Sequence, residues 1–105
     1  MTAEPSLTIE EERLPEGLIL TLKGEITAAA EVVFGSLLKL DPWPPAILLD
    51  FGEVEYINSA GIALLIGLLR QARSRGGALR VQGLSEHYRK IFRMVGLTEY
   101  VELLE

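Results

Sequence analysis

One stretch of this chain combines residue types that could meet an anionic group: Asp50-Phe51-Gly52-Glu53-Val54-Glu55-Tyr56-Ile57-Asn58-Ser59-Ala60-Gly61-Ile62. An apolar run gives way to a short polar segment, and Asn58-Ser59 offers an N-cap for a helix running from Gly61 to Arg75. The first turn of a helix holds backbone N–H groups without intrahelical partners and carries partial positive charge. A phosphoryl group placed there is electrostatically welcome. An ordinary capped helix shows the same pattern, so the residues mark a place for chemistry and not yet a reaction.

Other reactive residue types are sparse. The chain has no cysteine and one histidine, His87. Disulfides, thiolate zinc sites and cysteine nucleophiles are therefore excluded, and so are poly-histidine metal sites. His87 follows Glu86 in the first turn of a predicted helix and reads as a surface residue. No G-x-G-x-x-G or G-x-x-x-x-G-K-[ST] spacing occurs, so a phosphate-binding glycine loop is unsupported. Gly76-Gly77 reads as a helix stop. Glu10-Glu11-Glu12 alternate sides in a strand and read as a solvated edge. Arg70, Arg73 and Arg75 sit at a helix end, where cations suit the dipole, or form a partner-binding patch. Trp43, between prolines, covers an edge of the core or meets a partner. No nucleophile–base–acid set is recognisable, so neither an enzyme nor a cofactor is expected.

The bulk composition agrees with a binding role. A chain of 105 residues with 49% hydrophobic content can build one core, giving a single domain over residues 1–105. A net charge of −5 argues against nonspecific nucleic-acid binding. The charge is uneven. Residues 1–53 hold ten acidic and three basic residues, whereas residues 54–105 hold five and seven. That contrast suggests a less acidic face on the second helix, suited to a protein partner. The acidic start lacks the pattern of a secretory signal. The longest apolar run, Ile62 to Leu69 with Gly67 inside it, is far short of the roughly 20 residues of a membrane span. A cytoplasmic protein without membrane insertion is expected.

The elements that must position the Asn58 segment alternate along the chain. Leu7–Leu14 and Leu18–Leu22 read as a hairpin around Pro15-Glu16-Gly17. Thr27 caps a helix reaching about Leu40, with Ala30, Val33, Phe34, Leu37 and Leu38 at helical spacing. Ala46–Phe51 is apolar throughout and reads as a central strand covered on both faces, followed by a second strand-like piece, Val54–Ile57. After the Gly61–Arg75 helix come a strand at Ala78–Val81, a helix capped by Ser85 and ending at Gly96, and a short element within Thr98–Leu104. The order β-β-α-β-α-β-α predicts an α/β fold, a mixed sheet with right-handed crossovers. On the Gly61–Arg75 helix, Ile62, Leu65, Ile66 and Leu69 form one stripe; Leu64 and Leu68 lie off it and are expected to face outward.

With these residues in view, the chain resembles the STAS domain, the sulfate transporter and anti-sigma factor antagonist family. The pattern D-[FL]-x-x-[VL]-x-x-[IM]-[DN]-S-[SAT]-G-[IL] matches from Asp50 to Ile62. Gly24-Glu25-Ile26, the Gly76-Gly77 segment and Met94-Val95-Gly96-Leu97 match further family features. The resemblance covers nearly the whole chain and is similar in length to a stand-alone member. It implies a sheet packed on one side by helices, and a binding protein without an enzymatic site. In stand-alone bacterial members the unphosphorylated antagonist binds an anti-sigma factor, usually a serine kinase, and so frees a sigma factor. The kinase phosphorylates a Ser or Thr at the start of the second helix, and a PP2C-type phosphatase reverses this.

One departure bears on that implication. The residue before the motif glycine, the implied phosphoacceptor, is Ala60, which has no hydroxyl. Asn58 replaces the usual acid. Ser59 matches the motif's first serine and is either a helix cap or a substitute acceptor. The resemblance thus implies a partner surface at Asn58, Ser59, Ala60, Gly61, Ile62, Leu64 and Leu68 without the usual switch. Two other readings stay open: a STAS subunit of a membrane transport system that docks on its cytoplasmic ATPase, or a phosphorylation-independent scaffold. A small-ligand binder is a further class, although no residue pattern marks a pocket.

Overall fold

The computed structural model describes residues 6–105. Five strands and three α-helices follow one another: β1 (Leu7–Leu14), β2 (Gly17–Ile26), α1 (Glu31–Leu37), β3 (Ala46–Ile57), α2 (Ser59–Arg75), β4 (Ala78–Gln82), α3 (Glu86–Met94) and β5 (Glu102–Leu103). The strands form one sheet in the order β1-β2-β3-β4-β5. β1 and β2 pair antiparallel as the expected hairpin, with Leu14 opposite Gly17. The other three pairings are parallel, which makes the sheet mixed. Each parallel connection advances one strand in the same direction. Crossovers of one hand then place α1, α2 and α3 on the same side.

That side carries the core. Leu18, Leu20 and Leu22 of β2, Ile47, Leu49 and Phe51 of β3, and Leu79 and Val81 of β4 are buried at alternate positions, as strand geometry requires. They meet Phe34 and Leu37 of α1, Leu65, Leu69 and Ala72 of α2, and Phe92 of α3. Phe51 and Phe92 make an edge-to-face contact with ring centroids 5.7 Å apart. β3 is therefore covered on one face, not on both as its apolar sequence suggested. Leu48 is only half-buried on the opposite face, in register with Ile19 and Arg80. That open face joins Leu14, Ile19, Ala46 and Leu104 around Leu48 to ion pairs, with Arg80 3.0 Å from Glu102 and Lys23 2.8 Å from Glu10. The hydrogen bond to Glu10 holds the Lys23 ammonium above the ordinary lysine range. Among the described residues, no helix is long and apolar enough to cross a membrane.

Three boundaries differ from the sequence expectation. First, the Thr27-capped helix begins as a 3-10 turn, Ala28–Ala30, and α1 ends at Leu37 instead of Leu40. Beyond Leu37 the chain tightens, with the Lys39 and Leu40 N–H groups donating to the Ser36 and Leu37 carbonyls at 3.1 and 3.3 Å, and the carbonyls of Leu38 and Leu40 accept hydrogen bonds from Arg75 at 2.8 and 3.0 Å. Second, the two strand pieces at 46–51 and 54–57 are one strand. β2 runs beside both, and two register shifts absorb the irregularity near Gly52 and Glu55. Third, the C-terminal segment holds both a 3-10 turn, Leu97–Glu99, and a strand, β5, paired with β4.

Arg75 is thus more than a charge at the end of α2. Its guanidinium also lies 4.6 Å from the Trp43 ring centroid, and the Trp43 indole N–H donates to the Gly76 carbonyl at 3.0 Å. Together these contacts fasten the end of α1 and the proline loop to the end of α2. Arg75→Ala removes two charge-assisted hydrogen bonds and one stacking contact from a solvated site, which should cost about 1–2 kcal/mol in urea unfolding. Lysine, a point charge without the planar fork, should recover less than half of that loss.

Candidate functional site

The Asn58 segment sits where β3 ends and α2 begins. Asn58 is extended, and its Oδ1 accepts a hydrogen bond from the Gly61 N–H at 2.8 Å, while its carbonyl accepts from the Ile62 N–H at 2.9 Å. These two bonds start the helix at Ser59, two residues before the sequence expectation. Asn58 is therefore the cap. Ser59 is the first helical residue, exposed, and takes no part in capping. Ala60 beside it is exposed as well.

Two further contacts hold this corner. The Asn58 N–H donates to the Ile26 carbonyl at 3.2 Å, which joins it to the end of β2. The Ile57 N–H donates to the Tyr88 hydroxyl at 2.9 Å, which joins it to α3. Tyr88 had no functional signal in the sequence. It stands three residues after Ser85, and its N–H donates to the Ser85 cap at 3.3 Å. Its hydroxyl reaches a strand 31 residues earlier in the chain, a distance that no local pattern encodes. Gly61 is buried against Ile26. A Cβ there would overlap the Ile26 carbonyl oxygen and lie 2.7 Å from its carbon. The glycine serves this close crossing of β2 and α2.

The other candidates divide by depth. Ile62 and Leu64 are half-buried and Ala63 is exposed, so the first turns of α2 present small and apolar side chains beside Ser59 and Ala60. Leu68 is corrected: it is 6% exposed and belongs to the core. It shares a helix face with Leu64, but one turn further along α2 that face lies under Phe34 and Leu38 of the α1 region. Between α1 and α2 runs a groove of about 250 Å³ bordered by Glu31, Gly35, Ala63, Leu64, Gly67 and Gln71. Val32, 78% exposed, stands on the neighbouring surface of α1.

The basic residues of the second half are more scattered than the charge count suggested. Arg70 and Arg73 are exposed on α2, but Arg75 and Arg89 donate to backbone carbonyls and Arg80 pairs with Glu102 on the open sheet face. Among the described residues, Arg70 and Arg73 have no side-chain partner, and the sequence of α2 holds no acidic residue.

A family model described as "Mlab, STAS domain" matches residues 9–105. This chain is a member of the STAS domain family. The STAS domain is similar to the anti-sigma-B factor antagonist of Listeria monocytogenes, with 28% identity over 101 residues that cover 93% of this chain and 89% of the relative. It is similar also to the anti-sigma-B factor antagonist of Bacillus subtilis, 21% identical over 99 residues that cover 93% of this chain and 91% of the relative. Among solved structures, an anti-sigma factor antagonist from Mycobacterium paratuberculosis superposes with a TM-score of 0.73 at 22% identity, covering 98% of this STAS domain and 89% of that chain. The likeness carries the fold: one mixed sheet with its helices on a single side.

Proposed function

We propose that this STAS domain is an anti-sigma factor antagonist that binds an anti-sigma factor of the serine-kinase type and has lost the usual phosphorylation switch. The observation that carries the reading is the corner itself. Ser59 and Ala60 are exposed at the start of α2, on a backbone fixed by Asn58, Ile26 and Tyr88. A rigid, weakly polar surface of this kind loses little conformational entropy on binding. The names of the relatives support an anti-sigma factor as the partner.

In relatives that are switched, a phosphate at this surface adds roughly 1.5 to 2 negative charges, and binding weakens through desolvation and repulsion. Alanine at position 60 accepts no phosphate, so the complex persists while the kinase has ATP. A PP2C-type phosphatase then has nothing to reverse at this residue. Ser59 is the remaining hydroxyl in the corner. Incubation with serine-kinase anti-sigma factors from the same genome and ATP, followed by phosphosite mapping, should leave Ser59 unmodified and binding intact. Stoichiometric phosphate on Ser59 with loss of binding would contradict the reading.

A second reading is favoured by the same alanine. A STAS subunit docking on the ATPase of a membrane transport system needs no phosphoacceptor. Neighbouring genes distinguish the two: a kinase or phosphatase supports sigma control, and transporter genes support the subunit.

A further inference from the structure

β3 is twelve residues long, yet β4 pairs only with its first five, Ala46–Asp50. Beyond Asp50, β2 is the one strand beside it among the described residues. Glu55 has no counterpart on β2, because Gly24 pairs with Val54 and Glu25 with Tyr56. The free edge is closed at its far end by the bond from the Ile57 N–H to the Tyr88 hydroxyl. Between these limits lies a groove of about 330 Å³, lined on its apolar side by Phe51, Val54, Leu84 and Tyr88 and on its polar side by Glu55 and Ser85.

An unpaired strand edge beside an apolar groove is the arrangement that captures extended peptides: the main chain adds to the edge, and alternate side chains fill the groove. The Gly52 N–H already donates to Asp50 Oδ1 at 2.8 Å, and Gly83 packs against it, so the open edge is Glu53–Tyr56, roughly 13 Å, enough for a short added strand. Charge selects among such peptides. Glu55 is the acidic residue of the groove's lining and is exposed, whereas Glu53, 3.8 Å from Lys23, and Glu86 lie outside that lining. Of the nearby cations, Lys23 is occupied by Glu10, and Arg89 donates to the Leu104 carbonyl. Lys90 on α3 is exposed but does not line the groove.

We infer that the free edge of β3 receives an extended, basic segment of a protein partner, with an apolar side chain seated on Phe51, Val54, Leu84 and Tyr88 and a lysine or arginine against Glu55. The segment would end at Ile57, next to Asn58, and so extend the partner contact past the corner onto the sheet edge. The inference stands apart from the identity of the partner at α2.

The test is an amide-resolved NMR titration of the full chain with the capped peptide Lys-Val-Lys-Val-Lys and with its counterpart Glu-Val-Glu-Val-Glu. The basic peptide should shift the amides of residues 53–56 and 83–85 in a saturable way, and the acidic peptide should not. Glu55→Lys, a change at an exposed position, should weaken the basic peptide about fivefold, the scale of one exposed ion pair. The inference is overturned by no response at millimolar peptide, by equal response to both peptides, or by unchanged affinity in Glu55→Lys. Loss of this site alone would leave the reading of the α2 surface in place, because that reading is tested by Ala60 variants.

Discussion

Replacing Gly61 with alanine should destabilise the fold by about 1–3 kcal/mol, although the residue lies within a helix. Helix propensity alone favours alanine over glycine by roughly 1 kcal/mol. The close crossing with β2 decides the sign. The added methyl would overlap the backbone carbonyl of Ile26, which is fully buried and also holds the Asn58 N–H. A flexible side chain could move aside; a carbonyl fixed in a sheet cannot. Overpacking of a rigid interior typically costs about 1–3 kcal/mol, and disturbance of the Asn58 cap adds about 1 kcal/mol. Gly67, in the same helix, is the control. No atom lies within 4 Å of its added Cβ, so Gly67→Ala should stabilise by about 0.5–1 kcal/mol. Urea unfolding of both variants checks the pair; equal effects would contradict the crossing argument.

Ala60→Asp should reduce affinity for the proposed anti-sigma factor by roughly 50-fold while leaving the fold at least as stable. The two expectations have separate causes. Position 60 is exposed in the first turn of α2, where a carboxylate meets the positive end of the helix dipole and gains about 0.3–1 kcal/mol. At an interface the same carboxylate must be desolvated, and an unmatched charge there costs several kcal/mol. A thermal melt and a binding titration on one sample read both effects. Unchanged affinity would mean that this corner is not the contact surface; a large drop in stability would mean that the loss of binding reflects unfolding.

The fold was legible because its signals are local and repeated. Alternating leucines in Leu18–Leu22, caps at Thr27 and Ser85, and stops at Gly76 and Gly96 each match an element of the structure. The Asn58–Gly61 corner was legible as a helix start, since small polar residues before an apolar run are helix-capping residues, and Asn58 does cap α2. What escaped depends on which distant element covers a residue. Leu64 and Leu68 are alike in sequence and lie on one helix face, and only the position of α1 buries the second. Gly61 read as a helix start within a partner surface, whereas what demands a glycine there is the Ile26 carbonyl, 35 positions earlier. The free edge of β3 arises from the shortness of β4, which no pattern within β3 itself reveals.

The central claim is that this STAS domain holds a serine-kinase anti-sigma factor through the α2 corner without a phosphorylation switch. Titration calorimetry with the anti-sigma factor from the same genome, before and after incubation with ATP, tests it most directly. The account predicts one-to-one binding at micromolar or tighter affinity that is unchanged by ATP incubation and weakened by Ala60→Asp. Absence of binding, or binding abolished once ATP has been supplied, would contradict it.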